Sequence, residues 1–291
     1  MAATTAVPAT HQAAPRAGTA SPGRWMPLGL LVAAAVALFA PTLVWLYGRW
    51  TLSVWQHAHG LLLVPIVGYF IREELRKFRD RPRESSAWGF LILVPALALH
   101  AIDAGMHTQL LSAVALWLAL PGFSLLLLGR TRTRAILFPL AFLAFALPIP
   151  LAFTEAIHWQ LRQIVTAGTA AIVPLFGISL FVEGTTLHLA GGVLQVADAC
   201  SGFSTLYAGV AVASLVAYSA DSARARVLVL ASAAPLAIAA NVLRVIALVL
   251  LSVWYGTGIL DTVVHPLSGV LTFALALPII FWLGRPSGAP K

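Results

Sequence analysis

The sequence predicts an all-α, polytopic integral membrane protein, a bundle of about eight helical spans interrupted by one short insertion. Of its 291 residues, 60% are hydrophobic and only 10% are charged, and the mean hydropathy is +0.91. Soluble domains carry about 25% charged residues. Apolar runs of about 20 residues recur along the chain, and each is long enough to cross a bilayer.

The chain divides into one membrane domain between two tails. Residues 1–24 are rich in Ala, Thr, Pro and Gly, which predicts a disordered cytoplasmic tail rather than a signal peptide. Residues 25–286 form the predicted membrane domain, and 287–291 form a second cytoplasmic tail. The predicted spans are 27–47, 54–71, 88–102, 109–128, 135–153, 203–218, 227–254 and 266–283.

The stretch between the fifth and sixth spans differs from the rest. Residues 154–165 have apolar side chains at helical spacing on one side, which predicts an extracytoplasmic helix lying in the membrane interface. Residues 167–182 are apolar but short, so we expect them to enter the membrane without crossing it. Residues 184–197 alternate around Gly191 and Gly192, which predicts a β-hairpin.

The positions of Lys and Arg predict the orientation of the bundle. If the N-terminus is cytoplasmic and 167–182 does not cross, then all of the 18 Lys and Arg lie on the cytoplasmic side except Arg49, Arg162 and Arg244. This asymmetry follows the positive-inside rule for a protein of the plasma (inner) membrane. It accounts for the net charge of +8 without a nucleic-acid partner.

Cys200 is the only cysteine of the chain and lies between the predicted hairpin and an apolar helix. The thiolate is the nucleophilic form of cysteine, and a helix N-terminus favours the anion. The position therefore predicts an activated nucleophile with a lowered pKa. The alternative is a small buried side chain without chemistry. One cysteine excludes an internal disulfide and any multi-cysteine zinc site.

Two further polar side chains reach the level of Cys200 in this topology. Arg244 lies about 25 Å up the seventh span of a core about 30 Å thick, near the outer boundary. His265 precedes Pro266, a favoured first-turn residue, at the outer end of the eighth span. We therefore expect Cys200, Arg244 and His265 to meet on the extracytoplasmic face.

Each of these side chains has a chemical role open to it, and an alternative. An arginine inside a span costs about 2.5–3.5 kcal/mol on insertion scales and indicates function, such as binding an oxyanion or a carboxylate. Its alternative is extension of Arg244 to lipid head groups. His265, near a helix N-terminus, resists protonation and is a usable base, or else an interfacial histidine bound to water or lipid. Asn241, one turn before Arg244, could assist it. Asp198 could fix the histidine tautomer or be an exposed acid.

The sequence predicts no metal and no cofactor. His57 and His59 are two residues apart and do not share a helix face. No pair of carboxylates completes a recognisable ligand set. We expect His59, with Gly60, to begin the second span close to the site.

Three segments together resemble the signature motifs of the exosortase/archaeosortase family. They are ADACSGFSTL at 197–206, NVLRV at 241–245 and HPLSG at 265–269. Family-like segments also occur upstream, at 59–65, 138–150 and 184–196. The resemblance covers most of the chain from about residue 40 onward.

The resemblance implies a membrane cysteine transpeptidase without cofactors. The family's cysteine, arginine and histidine fall on Cys200, Arg244 and His265, with Ser201 and Gly202 as neighbouring support. Family members process exported proteins that carry a C-terminal sorting tail, typically of a Pro-Glu-Pro type, through an acyl-enzyme. The product would pass to a lipid-linked or cell-surface acceptor. Some relatives carry a further C-terminal soluble domain, and a core-only form is expected here.

Two other functions fit the sequence. An intramembrane cysteine protease would use the same residues with water as the final acceptor. A transporter or a lipid-handling scaffold would use Arg244 as a ligand-binding charge. Transporters commonly have inverted repeats and several broken helices, and we find no repeat in this sequence.

Overall fold

The computed structural model of the protein describes residues 26–51, 59–82, 84–197 and 200–285. The predicted tails 1–24 and 287–291 lie outside these residues. The helices are α1 Met26–Leu38, α2 Ala40–Thr51, α3 His59–Arg76, α4 Gly89–Met106, α5 Leu110–Ala135, α6 Leu137–Phe142, α7 Leu151–Ile172, α8 Phe203–Ser219, α9 Ala223–Tyr255 and α10 Val264–Leu283. The strands are β1 Leu180–Glu183, β2 Thr186–Leu189 and β3 Gly192–Gln195.

Within the described residues, four helices are long and apolar enough to cross a membrane: α4, α5, α9 and α10. A fifth span results if α1 and α2 count as one broken span. The protein is therefore a mostly helical membrane protein. Helix α8 is apolar but shorter, and α3 ends in a charged turn containing Glu73, Glu74 and Arg76. The total of eight crossings stays a prediction.

The predicted fifth span, 135–153, is not one continuous helix. Helix α6 passes into a short 3₁₀-helix, Leu143–Ala146, and the backbone is extended at Leu147 and again at Pro150, where α7 begins. Proline lacks the backbone donor that a helix interior needs and restricts the residue before it to extended conformations. The sequence predicts that Pro148 and Pro150 break or end the fifth span, and in the structure the pair separates α6 and its 3₁₀ extension from α7.

The stretch that we expected to contain an interfacial helix and a separate re-entrant segment is arranged differently. Helix α7 runs without a break through 151–172, so it joins 154–165 to the first part of 167–182. A short 3₁₀-helix, Val173–Phe176, follows, and the end of the expected re-entrant segment lies in β1. An acidic and a basic residue, Glu155 and Arg162, lie on α7, which is not among the helices apolar enough to cross.

Three strands form an antiparallel sheet in the order β1-β2-β3. Glu183 pairs with Thr186, and Leu189 pairs with Gly192, so a two-residue turn joins each strand to the next. The region 184–197 contains β2 and β3, and β1 adds a third strand that alternation around Gly191 and Gly192 did not indicate.

A hydrophobic core fixes this sheet to the long helices. Leu187 of β2 and Val196 after β3 contact Val165 of α7 and Val245 and Val249 of α9, and all five are at most 1% exposed. Burying side chains of this size contributes about 1.5–3 kcal/mol each. The end of β3 is thereby held beside α9, and the chain leaves it directly toward Cys200.

Candidate active site

Cys200 lies in the connection between β3 and α8. Its backbone N–H donates to the carbonyl of Ala197 at 2.8 Å, and its half-buried side chain packs against the core under the sheet. Helix α8 begins only at Phe203, with Gly202 as its N-cap. The helix-dipole effect falls off within the first turn of a helix, so Cys200 benefits from it less than the sequence suggested.

Asn241 of α9 holds the loop that carries Cys200. Its Nδ2 donates a hydrogen bond to the carbonyl oxygen of Cys200 at 2.9 Å. Gly202 lies so close that a Cβ atom there would be 2.5 Å from Cγ of Asn241. Asn241 is 1% exposed, and its Oδ1 has no hydrogen-bond partner among the described residues. The amide is therefore oriented through its donor side, and it fixes the backbone at Cys200.

His265 brings an imidazole to the cysteine from the first turn of α10. The distance from Sγ of Cys200 to Nε2 of His265 is 3.6 Å. For the thiol to donate to Nε2 across this contact, the ring proton has to be on Nδ1. A thiol and a base within hydrogen-bonding reach are the basic requirement for an activated nucleophile.

Arg244 lies next to this pair and is connected to the backbone of His265. Its Nε donates to Oγ of Ser268 at 3.0 Å, and its Nη2 donates to the carbonyl oxygen of His265 at 3.3 Å. Ser268 in turn donates to the same carbonyl at 2.7 Å. Arg244 is only 5% exposed. Its side chain therefore packs inside the protein, where the alternative interpretation had it reaching the lipid head groups.

The pKa of Cys200 differs from the sequence prediction. Burial raises the pKa of the thiol, and the positive charge of Arg244 only partly opposes that effect. Taking a thiolate out of water costs more than one neighbouring guanidinium returns. The resting thiol is therefore protonated at neutral pH, and the predicted lowering of its pKa is wrong. Attack by Cys200 then requires transfer of its proton at the moment of reaction.

A cavity of about 350 Å³ opens onto the pair Cys200 and His265. Its other lining residues come from the end of β3, from α9 and from the 3₁₀-helix Thr257–Asp261, and they are Val193, Leu194, Gln195, Val196, Ala197, Val245, Leu248, Leu260 and Asp261. The volume is within the range of small ligand sites, about 300–1,000 Å³. The reactive atoms are thus in contact with a space that part of a substrate can occupy.

A family model described as transmembrane exosortase matches residues 50–282. The chain belongs to the transmembrane exosortase family. The matched region includes Cys200, Arg244 and His265. No curated protein and no solved structure matches the chain significantly.

Two polar residues at this exosortase site had no role in the sequence prediction. Ser268 follows His265 by three residues, the spacing of neighbours on a helix face, and that spacing was a usable signal. His158 of α7 is 6% exposed, and its Nδ1 is 2.9 Å from Oγ of Ser201, which is fully buried. Its ring centroid is 4.6 Å from that of Phe203. No local pattern in the sequence indicated this contact across 43 residues.

Of the remaining residues considered in the sequence, His59 is described by the structure, and Asp198 and His57 are not. His59 lies on α3, with Nε2 3.1 Å from the carbonyl oxygen of Phe145 and its ring edge-on to Tyr207. These contacts place His59 against the 3₁₀-helix that follows α6. Asp198 and His57 lie outside the described residues. Among the residues that are described, no three His, Cys, Asp or Glu side chains form a group that could hold a metal ion.

Proposed function

We propose that the protein is a membrane cysteine transpeptidase acting on the extracytoplasmic face of the plasma membrane. Its substrates are exported proteins with a C-terminal sorting tail of the Pro-Glu-Pro type, and its acceptor is a lipid-linked or cell-surface nucleophile. The observation that carries this proposal is the 3.6 Å contact between Sγ of Cys200 and Nε2 of His265 in the wall of a cavity, beside a buried arginine.

In the first step, Cys200 attacks the carbonyl carbon of the scissile peptide bond. The S–H proton passes to Nε2 of His265 as the S–C bond forms, which suits a thiol that is protonated at rest. The C–N bond then breaks, and the leaving amine takes the proton from the imidazolium. The products are a thioester on Cys200 and the released tail.

In the second step, the acceptor attacks the thioester. The acceptor nucleophile gives its proton to His265, the new bond to the acyl carbon forms, and the C–S bond breaks. The sulfur of Cys200 recovers the proton, and the enzyme returns to its starting state. Water in place of the acceptor gives hydrolysis by the same route.

Arg244 supplies positive charge to the site in both steps. In the described part of the chain, its Nε and Nη2 are engaged by Ser268 and His265, and Nη1 makes no hydrogen bond. A preorganised cationic donor in a site of low dielectric constant stabilises a developing oxyanion. Holding the carbonyl of His265 also fixes the start of α10, and with it the imidazole.

Mass spectrometry on the product tests the proposal. The full chain in lipid nanodiscs is incubated with a purified protein carrying a Pro-Glu-Pro-type tail and with a membrane extract as the source of acceptor. We expect a shortened product with an added mass at its new C-terminus. Loss of the tail with a free carboxylate supports a protease, and no cleavage by the unaltered chain overturns the proposal.

The variants assign the roles. We expect Cys200→Ala to abolish cleavage and Arg244→Ala to lower kcat by about 10²–10³-fold, the loss typical of an oxyanion donor. His188→Ala is the matched control for His265→Ala and should cleave as the unaltered chain does. His188 lies on β2, its Nε2 contacts Glu183, and it does not line the cavity. Full cleavage by Cys200→Ala would contradict the assignment of the nucleophile.

A further inference from the structure

The cavity beside Cys200 is lined by five consecutive residues, 193–197, which include the end of β3. Side chains of successive residues in a strand point to opposite faces of the sheet. A run of consecutive strand residues therefore lines one cavity through its backbone edge. The cavity lies along the outer edge of β3, the edge strand of the sheet in the order β1-β2-β3.

The pairing of β2 with β3 determines which backbone groups face this edge. The N–H of Val196 donates to the carbonyl of Thr185 across the strands at 3.0 Å. In an antiparallel ladder the bonded positions alternate, so Leu194 bonds to its register partner Leu187. Val193 and Gln195 consequently direct their N–H and C=O groups away from β2.

Most of these outward groups are available. The carbonyl of Gln195 accepts from the N–H of Ala197 at 2.9 Å. In the described part of the chain, no other backbone hydrogen bond reaches Val193 or Gln195 on the outer side. Two N–H donors and one carbonyl acceptor thus face the cavity at the repeat distance of an extended chain.

We propose that the peptide segment next to the scissile bond binds as a fourth strand on the outer edge of β3. This inference rests on the proposed function, since the peptide is the substrate that Cys200 attacks. Addition of a strand to an exposed sheet edge is a recurring mode of peptide recognition, in which main-chain hydrogen bonds supply affinity. An extended peptide matches the edge because its own N–H and C=O groups alternate with the same period.

The rest of the cavity fits an extended peptide. Val245 and Leu248 of α9 add apolar lining, and Leu260 and Asp261 of the 3₁₀-helix also line the cavity. Cys200 and His265 lie in the same cavity as the edge. A peptide hydrogen-bonded to Val193 and Gln195 is therefore held with its backbone beside the sulfur, and only alternate residues of the peptide bond to the enzyme.

Removing one outward donor tests the pairing. Val193→Pro deletes an N–H that the ladder with β2 does not use, and proline is tolerated on edge strands. We expect kcat/KM for the tailed protein to fall about three- to tenfold, as for the loss of one or two hydrogen bonds.

The opposite edge of the same sheet supplies a matched control. By the same alternation, Val182 of β1 directs its N–H away from β2, on the side away from the cavity. Val182→Pro is therefore expected to leave kcat/KM within about twofold in the fraction that folds, as measured by active-site titration. Equal losses in Val193→Pro and Val182→Pro would overturn the inference.

A second measurement does not depend on the folding of a variant. Tail peptides are made with a single backbone ester in place of one amide, moved along the residues that precede the cleaved bond. Because Val193 offers the one outward carbonyl acceptor, we expect the largest loss of kcat/KM, about three- to tenfold, at the single position whose N–H donates to it. A uniform profile overturns the strand pairing while leaving the transpeptidase intact. No cleavage of the all-amide peptide by the unaltered chain overturns the proposed function itself.

Discussion

At the scale of single residues, the site depends on how closely the cysteine loop approaches α9. Gly202 has φ +84° and leaves no room for a side chain, since its Cβ would be 2.5 Å from Asn241. We expect Gly202→Ala to displace the amide that holds the carbonyl of Cys200. The cost is about 1–2 kcal/mol for the left-handed backbone and about 1–3 kcal/mol for the clash. Thermal unfolding in detergent and a cleavage assay measure the two effects.

Gly177 is the matched control for this substitution. It has φ +76°, but no atom lies within 4 Å of where its Cβ would be. Gly177→Ala therefore carries the backbone cost alone and should leave cleavage at the level of the unaltered chain. If both variants lose activity equally, the contact between Gly202 and Asn241 does not position Cys200.

The reactivity of Cys200 should depend on pH in the direction set by burial. Because burial raises the pKa of this thiol, the thiolate fraction at neutral pH is small and rises as pH increases toward the pKa. We expect the rate of alkylation to climb with a midpoint above that of an exposed cysteine. Arg244→Ala removes the charge that lowers the pKa, so its midpoint should move to still higher pH.

An exposed cysteine in the same chain provides the reference for this measurement. Ser85→Cys in the Cys200→Ala background places a thiol at an exposed position between α3 and α4. An alkylation midpoint of Cys200 below that reference would contradict the burial effect. Such a midpoint would support the lowered pKa of Cys200 that the sequence predicts from its position before α8.

At the scale of elements, α4 and α5 meet through small residues. A Cβ on Gly89 would be 2.6 Å from the backbone oxygen of Gly122. A Cβ on Gly122 would be 3.2 Å from the backbone nitrogen of Leu93. Small residues let helices in membranes approach closely. Gly89→Ala should therefore separate the two helices and destabilise the protein by about 1–3 kcal/mol, measured as a lower thermal midpoint in detergent.

Gly105 lies in the same helix and serves as the control. No atom is within 4 Å of where its Cβ would be, and alanine favours a helix over glycine by about 1 kcal/mol. Gly105→Ala should match or exceed the unaltered chain in stability. A stable Gly89→Ala variant would show that the two helices can move apart without loss.

Apolar runs and prolines predicted the elements unequally well. The runs that became α4, α5, α9 and α10 are long and apolar, and each stays helical in spite of one internal proline, so length alone sufficed. Segment 135–153 is as apolar, but Pro148 and Pro150 outweigh that signal by removing backbone donors. The third strand β1 was missed because most of it, Leu180 to Val182, was counted with the apolar segment 167–182.

The candidate site was predictable where topology alone brings residues together. Cys200, Arg244 and His265 were assigned to one level of the bundle from charge asymmetry and helix rise, and their side chains lie together in the structure. The residues that contact these three side chains could not be predicted from the sequence in the same way. His158 meets Ser201 through the packing of α7 against the cysteine loop, and burial of Cys200 depends on the core under the sheet.

At the scale of the whole molecule, the positive-inside asymmetry predicts which face of the membrane carries the site. Basic residues lie in the last turns of α3 and α5, namely Arg76, Arg132 and Arg134. The positive-inside rule predicts that these helix ends are cytoplasmic. In intact spheroplasts, a small membrane-impermeant thiosulfonate should modify Cys200 without permeabilisation, because a positively charged loop stays in the cytoplasm. Ser85→Cys in the Cys200→Ala background should react only after permeabilisation. Cys200 reacting only after permeabilisation would reverse the orientation and would remove the extracytoplasmic substrates from its reach.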